Sequence, residues 1–232
     1  MFRQIKLLVL DLDYVVLDCA ALKVRALRDS LMPFAEYLPH DVRLPDSLDI
    51  EQLFLEQGSH WIRSLDIGLP DDQLLSLESS FRPHEVRLLE ADTGRTFPGV
   101  ANLLMGCRNE GLKLALGAEG SRDYLMAFCD RNEMDLTFDI AVCTEEFGVG
   151  GTEEMISEIM DHSEVTASET ILLATLPRYF EAGRDLGTLT IGCGWGIHEH
   201  AALSHADFQS LTLQHALPII RQADSVTMGE SH

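Results

Sequence analysis

"LLVLDLDYVVLD", residues 7 to 18, decides how this chain is read. Leu7, Leu8, Val9 and Leu10 form an apolar run without alternation, the pattern of a strand buried on both faces of a parallel sheet covered by helices. Such sheets carry their chemistry at the carboxyl ends of their strands. The run ends in Asp11 and Asp13, in a chain with 38 acidic residues against 17 Lys and Arg, a formal charge of -21. These two acids either turn the chain or do chemistry.

Beyond that strand, helical and strand patterns alternate. "FPGVANLLMGCRNEG" reads as a helix closed by Gly111, "LKLALG" as a strand, "SRDYLMAFCDRNEM" as a helix and "FDIAVC" as a strand. "TEEMISEIMDH" follows as a helix, "ETILLAT" as a strand, "PRYFEAGRDLG" as a helix with Gly187 past its end, and "TLTIGCG" as a strand. Alternation at this spacing implies parallel pairing through right-handed crossovers, hence an α/β fold with a doubly wound parallel sheet. From Cys19 to about Glu85 the alternation gives way to helical patterns only: "CAALKVRALRDSLM" up to Pro33, "DIEQLFLEQGSHWIRSL", and "DDQLLSLESSF", started at Pro70 and Asp71 and expected to stop near Pro83. The expected division is a core of residues 1–17 and 86–222, an inserted all-helical cap of 18–85, and a polar, mobile tail of 223–232.

At 232 residues and 46% hydrophobic, the chain is long enough for one sizeable core with a smaller inserted unit. No apolar stretch approaches the ~18 residues of a membrane span. Lysines occur only at Lys6, Lys23 and Lys113, and binding to nucleic acid or anionic membrane rests on Lys and Arg, so neither is an expected partner. The five cysteines are an odd, widely spaced set without CxxC, which argues against a disulfide framework or thiolate zinc site. The opening segment is short of a leader's apolar length, so the expected location is the cytoplasm, with reduced, buried thiols.

In this order the motifs resemble those of the haloacid dehalogenase superfamily, and within it the phosphoglycolate-phosphatase-like members with a helical cap after the first strand. Members open with a strand ending in Asp-x-Asp-x-Thr or Val, matched by Asp11, Leu12, Asp13, Tyr14 and Val15. Further matching stretches are "FPGVANLLMGCRNEGLKLAL", "GSRDYL", "FDIAVCTEEFGVG", "SETILLATLPRYFEAGRDLGTLTIGCGWG" and "AALSHADF". The resemblance implies a Rossmann-like core. It also implies a phosphoryl-transfer ancestry in which Asp11 attacks phosphorus and Asp13 acts as acid and then base. Mg²⁺ is the implied cofactor if the protein is active, held in part by Asp11 and Asp13.

Three supporting parts of the family pattern are missing. The Ser or Thr at the end of the second core strand falls on Gly117, with the acid Glu119 close by. The lysine before the fourth helix falls on Gly150 and Gly151, and no lysine follows Lys113. The Gly-Asp pair and the Asp four residues on, which hold magnesium, fall on Ala174, Thr175 and Tyr179. One lost charge-stabilising donor costs ~10² to 10³ in rate, and a metal clamp supplies several kcal/mol. Asp11 and Asp13 therefore read as remnants of a phosphoryl-transfer site.

Hydrolysis is accordingly expected to be lost or much reduced, with function through binding a small phosphorylated molecule or a protein partner. The alternative is an active Mg²⁺-dependent phosphoester hydrolase with Asp11 as nucleophile, in which Glu119 serves the metal and Arg122 or Arg178 the phosphate. A dehalogenase is disfavoured, because that branch uses a lysine of the missing kind. Tyr14 is expected at the pocket mouth. His198, His200 and His205 match no zinc spacing and are expected on a solvated surface, and Cys143 and Cys193 are expected in the core. Trp61 and Trp195 suit either an apolar cap–core contact or ordinary packing.

Overall fold

The computed structural model describes residues 4–91, 94–134, 137–148 and 151–226. Its centre is a six-stranded parallel sheet: β1 (Leu7–Asp11), β4 (Lys113–Ala118), β5 (Ile140–Cys143), β6 (Thr170–Ala174), β7 (Leu189–Cys193) and β8 (Phe208–Ser210), in the order β5-β4-β1-β6-β7-β8. The order reverses at β1, whose two neighbours β4 and β6 come from opposite directions of winding. Every residue of β1 and of β6 is buried, as the unalternated apolar runs require. Flanking helices are α4 (Val100–Asn109), α5 (Arg122–Arg131), α6 (Thr152–Ser163), α7 (Pro177–Leu186) and α8 (Leu213–Val226). Their ends follow local chemistry. Ser121 caps α5 by accepting from the Tyr124 N–H, Pro177 opens α7, and Gly187 closes it in the left-handed region.

Between β1 and α4 lie three further helices, α1 (Ala20–Leu31), α2 (Ser47–Gln57) and α3 (Asp71–Glu90), with a 3-10 segment Gly58–Ser64. Asp46 caps α2 in a reciprocal box with Asp49. The chain leaves and re-enters the core through a two-stranded antiparallel pair, β2 (Leu17–Asp18) with β3 (Arg95–Thr96). The helical segment, or lid, is thus joined in the chain through this pair, and its helix α3 also packs along α5 of the core.

Two expectations need correction. Pro83 does not stop its helix: α3 continues to Glu90, so the expected boundary at 85/86 falls inside a helix. The cost of the missing N–H is offset by packing on both sides of the proline, with Leu77 and Phe81 before it and Leu88 and Leu89 after it all buried. The chain beyond 222 is not simply a tail either. Helix α8 runs to Val226, and buried Asp224 accepts the backbone N–H groups of Gln4 and Ile5 at 2.9 Å; residues 227–232 lie outside the described residues. Strand β8 and helix α8 went unread because "ADFQS" is short and Pro218 interrupts the apolar periodicity. Among the described residues no helix is long and apolar enough to cross a membrane.

Candidate functional site at the carboxyl edge of the sheet

Sheet register brings the scattered motif positions to one edge. Asp11 pairs with Gly117 across β1 and β4, and Leu10 pairs with Leu173 across β1 and β6, which sets Ala174 level with Asp11 and Thr175 one residue beyond. Adjacent strands are ~4.8 Å apart, so Asp11, Gly117 and Thr175 are neighbours. Tyr179, in the first turn of α7, completes the group. Gly150 lies outside the described residues.

Asp11 is 1% exposed, and neither of its carboxylate oxygens has a hydrogen-bonding partner among the described residues. Burial, then Glu119, then Asp13 push its carboxyl well above the usual carboxylate range; the nearby Tyr179 hydroxyl and Leu12 N–H offset part of this. The space beside Gly117, where a Ser or Thr was expected, is filled. A Cβ on Gly117 would stand 3.2 Å from the Tyr179 hydroxyl oxygen and 3.0 Å from the Met155 methyl. Thr175 and Tyr179 are themselves fully buried, with unpartnered hydroxyls.

Asp13 is differently served. Lys23 of α1 meets its Oδ2 at 2.8 Å, and the Tyr124 hydroxyl donates to its Oδ1 at 2.7 Å. The same ammonium contacts Glu85 of α3 at 3.2 Å and lies 4.6 Å from the centre of the Phe54 ring. Burial pulls Lys23 down, but Asp13 and Glu85 outweigh it and hold its ammonium above the usual lysine range. Sequence reasoning looked for a lysine downstream and missed this one, which the lid supplies. A lone lysine in the apolar stretch "CAALKVRAL" is the signal that pointed to it.

Glu119 and Arg178, expected as separate pocket groups, pair with each other at 2.9 Å, and Glu119 also accepts from the Thr152 hydroxyl and the Ser59 N–H. Arg122 pairs with Glu146 at an exposed position instead of serving the pocket. Tyr14 is fully buried in the left-handed region at φ 61°, its ring centre 5.3 Å from that of Phe54. His198 is not simply solvated: its Nδ1 lies 2.8 Å from buried Glu51 of α2. His200 turns its Nε2 to the Gly194 and Ile197 carbonyls. Trp61 packs edge-on against Phe81 within the lid, whereas Trp195 donates to the Val15 carbonyl. All five cysteines are free and buried, and burial pushes the thiols of Cys143 to about 11 and Cys107 to about 12.

Magnesium, the ion implied for this site, demands near-octahedral oxygen ligands including carboxylates. Here the Asp13 carboxylate is taken by Lys23 and Tyr124, and Thr175 and Tyr179 offer hydroxyls rather than carboxylates. Among the described residues no group of three His, Cys, Asp or Glu side chains is placed to hold a metal. The residues present do not fit the ion. The chamber between lid and sheet, walled by Asp13, Lys23, Phe54, Trp61 and Tyr124, retains about 20 Å³.

A family model described as haloacid dehalogenase-like hydrolase matches residues 8–193. No curated protein matches the chain. Similar solved structures include a predicted phosphoglycolate phosphatase from Haemophilus somnus 129PT, 12% identical over 95% of this chain and 100% of that one, with a TM-score of 0.77. A haloacid dehalogenase-like family protein from Streptococcus pneumoniae is 15% identical over 94% and 99%, with a TM-score of 0.79. CbbY from Rhodobacter sphaeroides, solved in complex with phosphate, is 15% identical over 90% and 95%, with a TM-score of 0.71. These likenesses establish the shared fold, and the family model covers most of the chain. The chain belongs to the haloacid dehalogenase-like hydrolase family.

Proposed function

We propose that this chain is a phosphatase-fold protein in which hydrolysis is lost or much reduced, and which works in the cytoplasm by binding a small phosphorylated molecule or a protein partner. The observation that carries this reading is the state of Asp11: a buried carboxyl without a partnered oxygen, its pocket filled by Tyr179 and Met155. A carboxylate attacks phosphorus only as an anion with charge compensation nearby. Asp11 holds its proton well above the usual range, and the lysine of the site is committed to Asp13. Phosphate entering here would also meet Glu119. A groove of about 720 Å³ outside the chamber, between α2, α7 and the stretch from His198 to Ala202, leaves room for a ligand that needs no turnover at Asp11. Five buried free thiols fit a reducing compartment.

A second reading, the Mg²⁺-dependent phosphoester hydrolase with Asp11 as nucleophile and Asp13 as acid and base, is favoured by one observation: both acids are present at the sheet edge. Hydrolysis of a generic aryl phosphate, with and without Mg²⁺, separates the two. The expected rate is low and the same in Asp11→Asn; a Mg²⁺-dependent rate that vanishes in that variant would establish the enzyme.

A further inference from the structure

Asp11, Asp13 and Glu85 lie buried around the carboxyl end of β1, and carboxylates so placed need a positive charge within reach. Magnesium is the implied source, yet the residues present do not fit it. Among the described residues only one lysine or arginine is buried with them, Lys23, which is 3% exposed. Its place follows from α1, where Leu22, Ala26, Leu27 and Leu31 are buried and Lys23 lies on the same side. The shell around its ammonium is complete. It donates to Asp13 at 2.8 Å and to Glu85 at 3.2 Å, and the ring centres of Phe54 and Tyr124 stand 4.6 Å and 5.6 Å away. The second Asp13 oxygen is taken by the Tyr124 hydroxyl. Carboxylates and aromatic rings together suit an organic ammonium. Contacts near 3 Å belong to N–H donors, whereas Mg²⁺ draws its oxygens to ~2.0–2.1 Å and keeps waters of its own. The chamber retains about 20 Å³, space for one water and not for a hydrated ion.

We propose that Lys23 is the resident cation of this site, an ammonium tethered by its own side chain where an exchangeable ion would otherwise balance Asp13 and Glu85. The pocket around it is a binding site for a primary alkylammonium group, filled in the native chain by the protein itself. Divalent ions are excluded for want of both oxygen ligands and room. The inference deepens the proposed function, naming what stands in for the metal, and rests on the reading of the site as one without metal-dependent turnover.

Chemical rescue tests it. Lys23→Ala removes Cγ, Cδ, Cε and Nζ, a fragment with the shape and charge of n-propylammonium. Thermal melts of the native chain and the variant are compared in n-propylammonium chloride, in NaCl at matched ionic strength, in 1-propanol and in MgCl₂. n-Propylammonium is expected to raise the Tm of Lys23→Ala saturably, by roughly 3 to 6 °C at ten times its Kd, and to leave the native chain where NaCl leaves it. 1-Propanol, which has the stem without the charge, should give no such rise, and Mg²⁺ should give neither protein more than NaCl does. If Lys23→Ala does not fold, Lys23→Ala with Glu85→Gln leaves one buried acid fewer and is expected to show the same rescue through Asp13 and the rings. A folded variant that n-propylammonium does not stabilise, or that 1-propanol stabilises equally, would overturn the proposal. So would Mg²⁺ stabilisation of the native chain that disappears in Asp13→Asn, a measurement that needs neither lysine variant. Aryl phosphate hydrolysis separates this inference from the proposed function. Turnover without any divalent ion that vanishes in Asp11→Asn refutes the loss of hydrolysis and leaves the resident cation standing, whereas Asp13-dependent Mg²⁺ binding without turnover does the reverse.

Discussion

Asp11→Asn isolates the cost of a carboxyl that the fold buries without a partner. Burial and the neighbours Glu119 and Asp13 raise its folded pKa, whereas in the unfolded chain an aspartate ionises near ~3.9. Above that pH the unfolded state has released a proton that the native state retains. Native stability therefore falls as pH rises through the window between the unfolded and the folded pKa, at about 1.4 kcal/mol per pH unit for one proton. Asparagine has the same shape and no such slope. Unfolding of both proteins in urea at pH 4.5, 5.0, 5.5 and 6.0 gives the difference in stability, from which the other titrating groups largely cancel. It should favour Asn by an amount that grows with pH, at up to about 1.4 kcal/mol per pH unit for as long as the native carboxyl keeps its proton. A difference that stays flat, or shrinks with rising pH, would mean that Asp11 is ionised in the fold and has a counter-charge not seen here.

Removing Lys23 leaves Asp13 and Glu85 buried without their cation, so Lys23→Met should destabilise by about 3–5 kcal/mol in urea unfolding; adding Asp13→Asn and Glu85→Gln should restore most of it. Phe54→Ala vacates the space between the Tyr14 ring and the Lys23 ammonium and should cost about 3–5 kcal/mol, with a thermal shift as the check. Thr175→Asp with Tyr179→Asp adds two acids beside Asp11, so the double variant should melt below the native chain in chelator. Mg²⁺ at ten times its Kd should then return roughly 1.4 kcal/mol. Equal Mg²⁺ stabilisation of the native chain, beyond NaCl at matched ionic strength, would show that other residues already hold the ion.

The amino-acid sequence by itself determined the alternation of strands and helices, because unbroken apolar runs such as Leu7–Leu10 tolerate no other environment and Gly111 and Gly187 end helices by local geometry. Through its motif order it also led to the expectation that Gly117, Thr175 and Tyr179 stand in place of phosphate- and metal-binding groups. What replaces those groups was not legible. Tyr179 over Gly117, Lys23 on Asp13, and Glu51 on His198 join residues 62, 10 and 147 positions apart, and the two longer pairings arise only once the crossovers have brought the start of α7 beside the end of β4 and the lid beside the His198 loop. Even the pairing only ten residues apart turns on the tight bend at Tyr14, whose left-handed backbone no local pattern announces. Helix α3 passing through Pro83 follows the same logic. Local propensity breaks the helix there, and only the burial of its apolar face on both sides of the proline, a tertiary quantity, carries it on to Glu90.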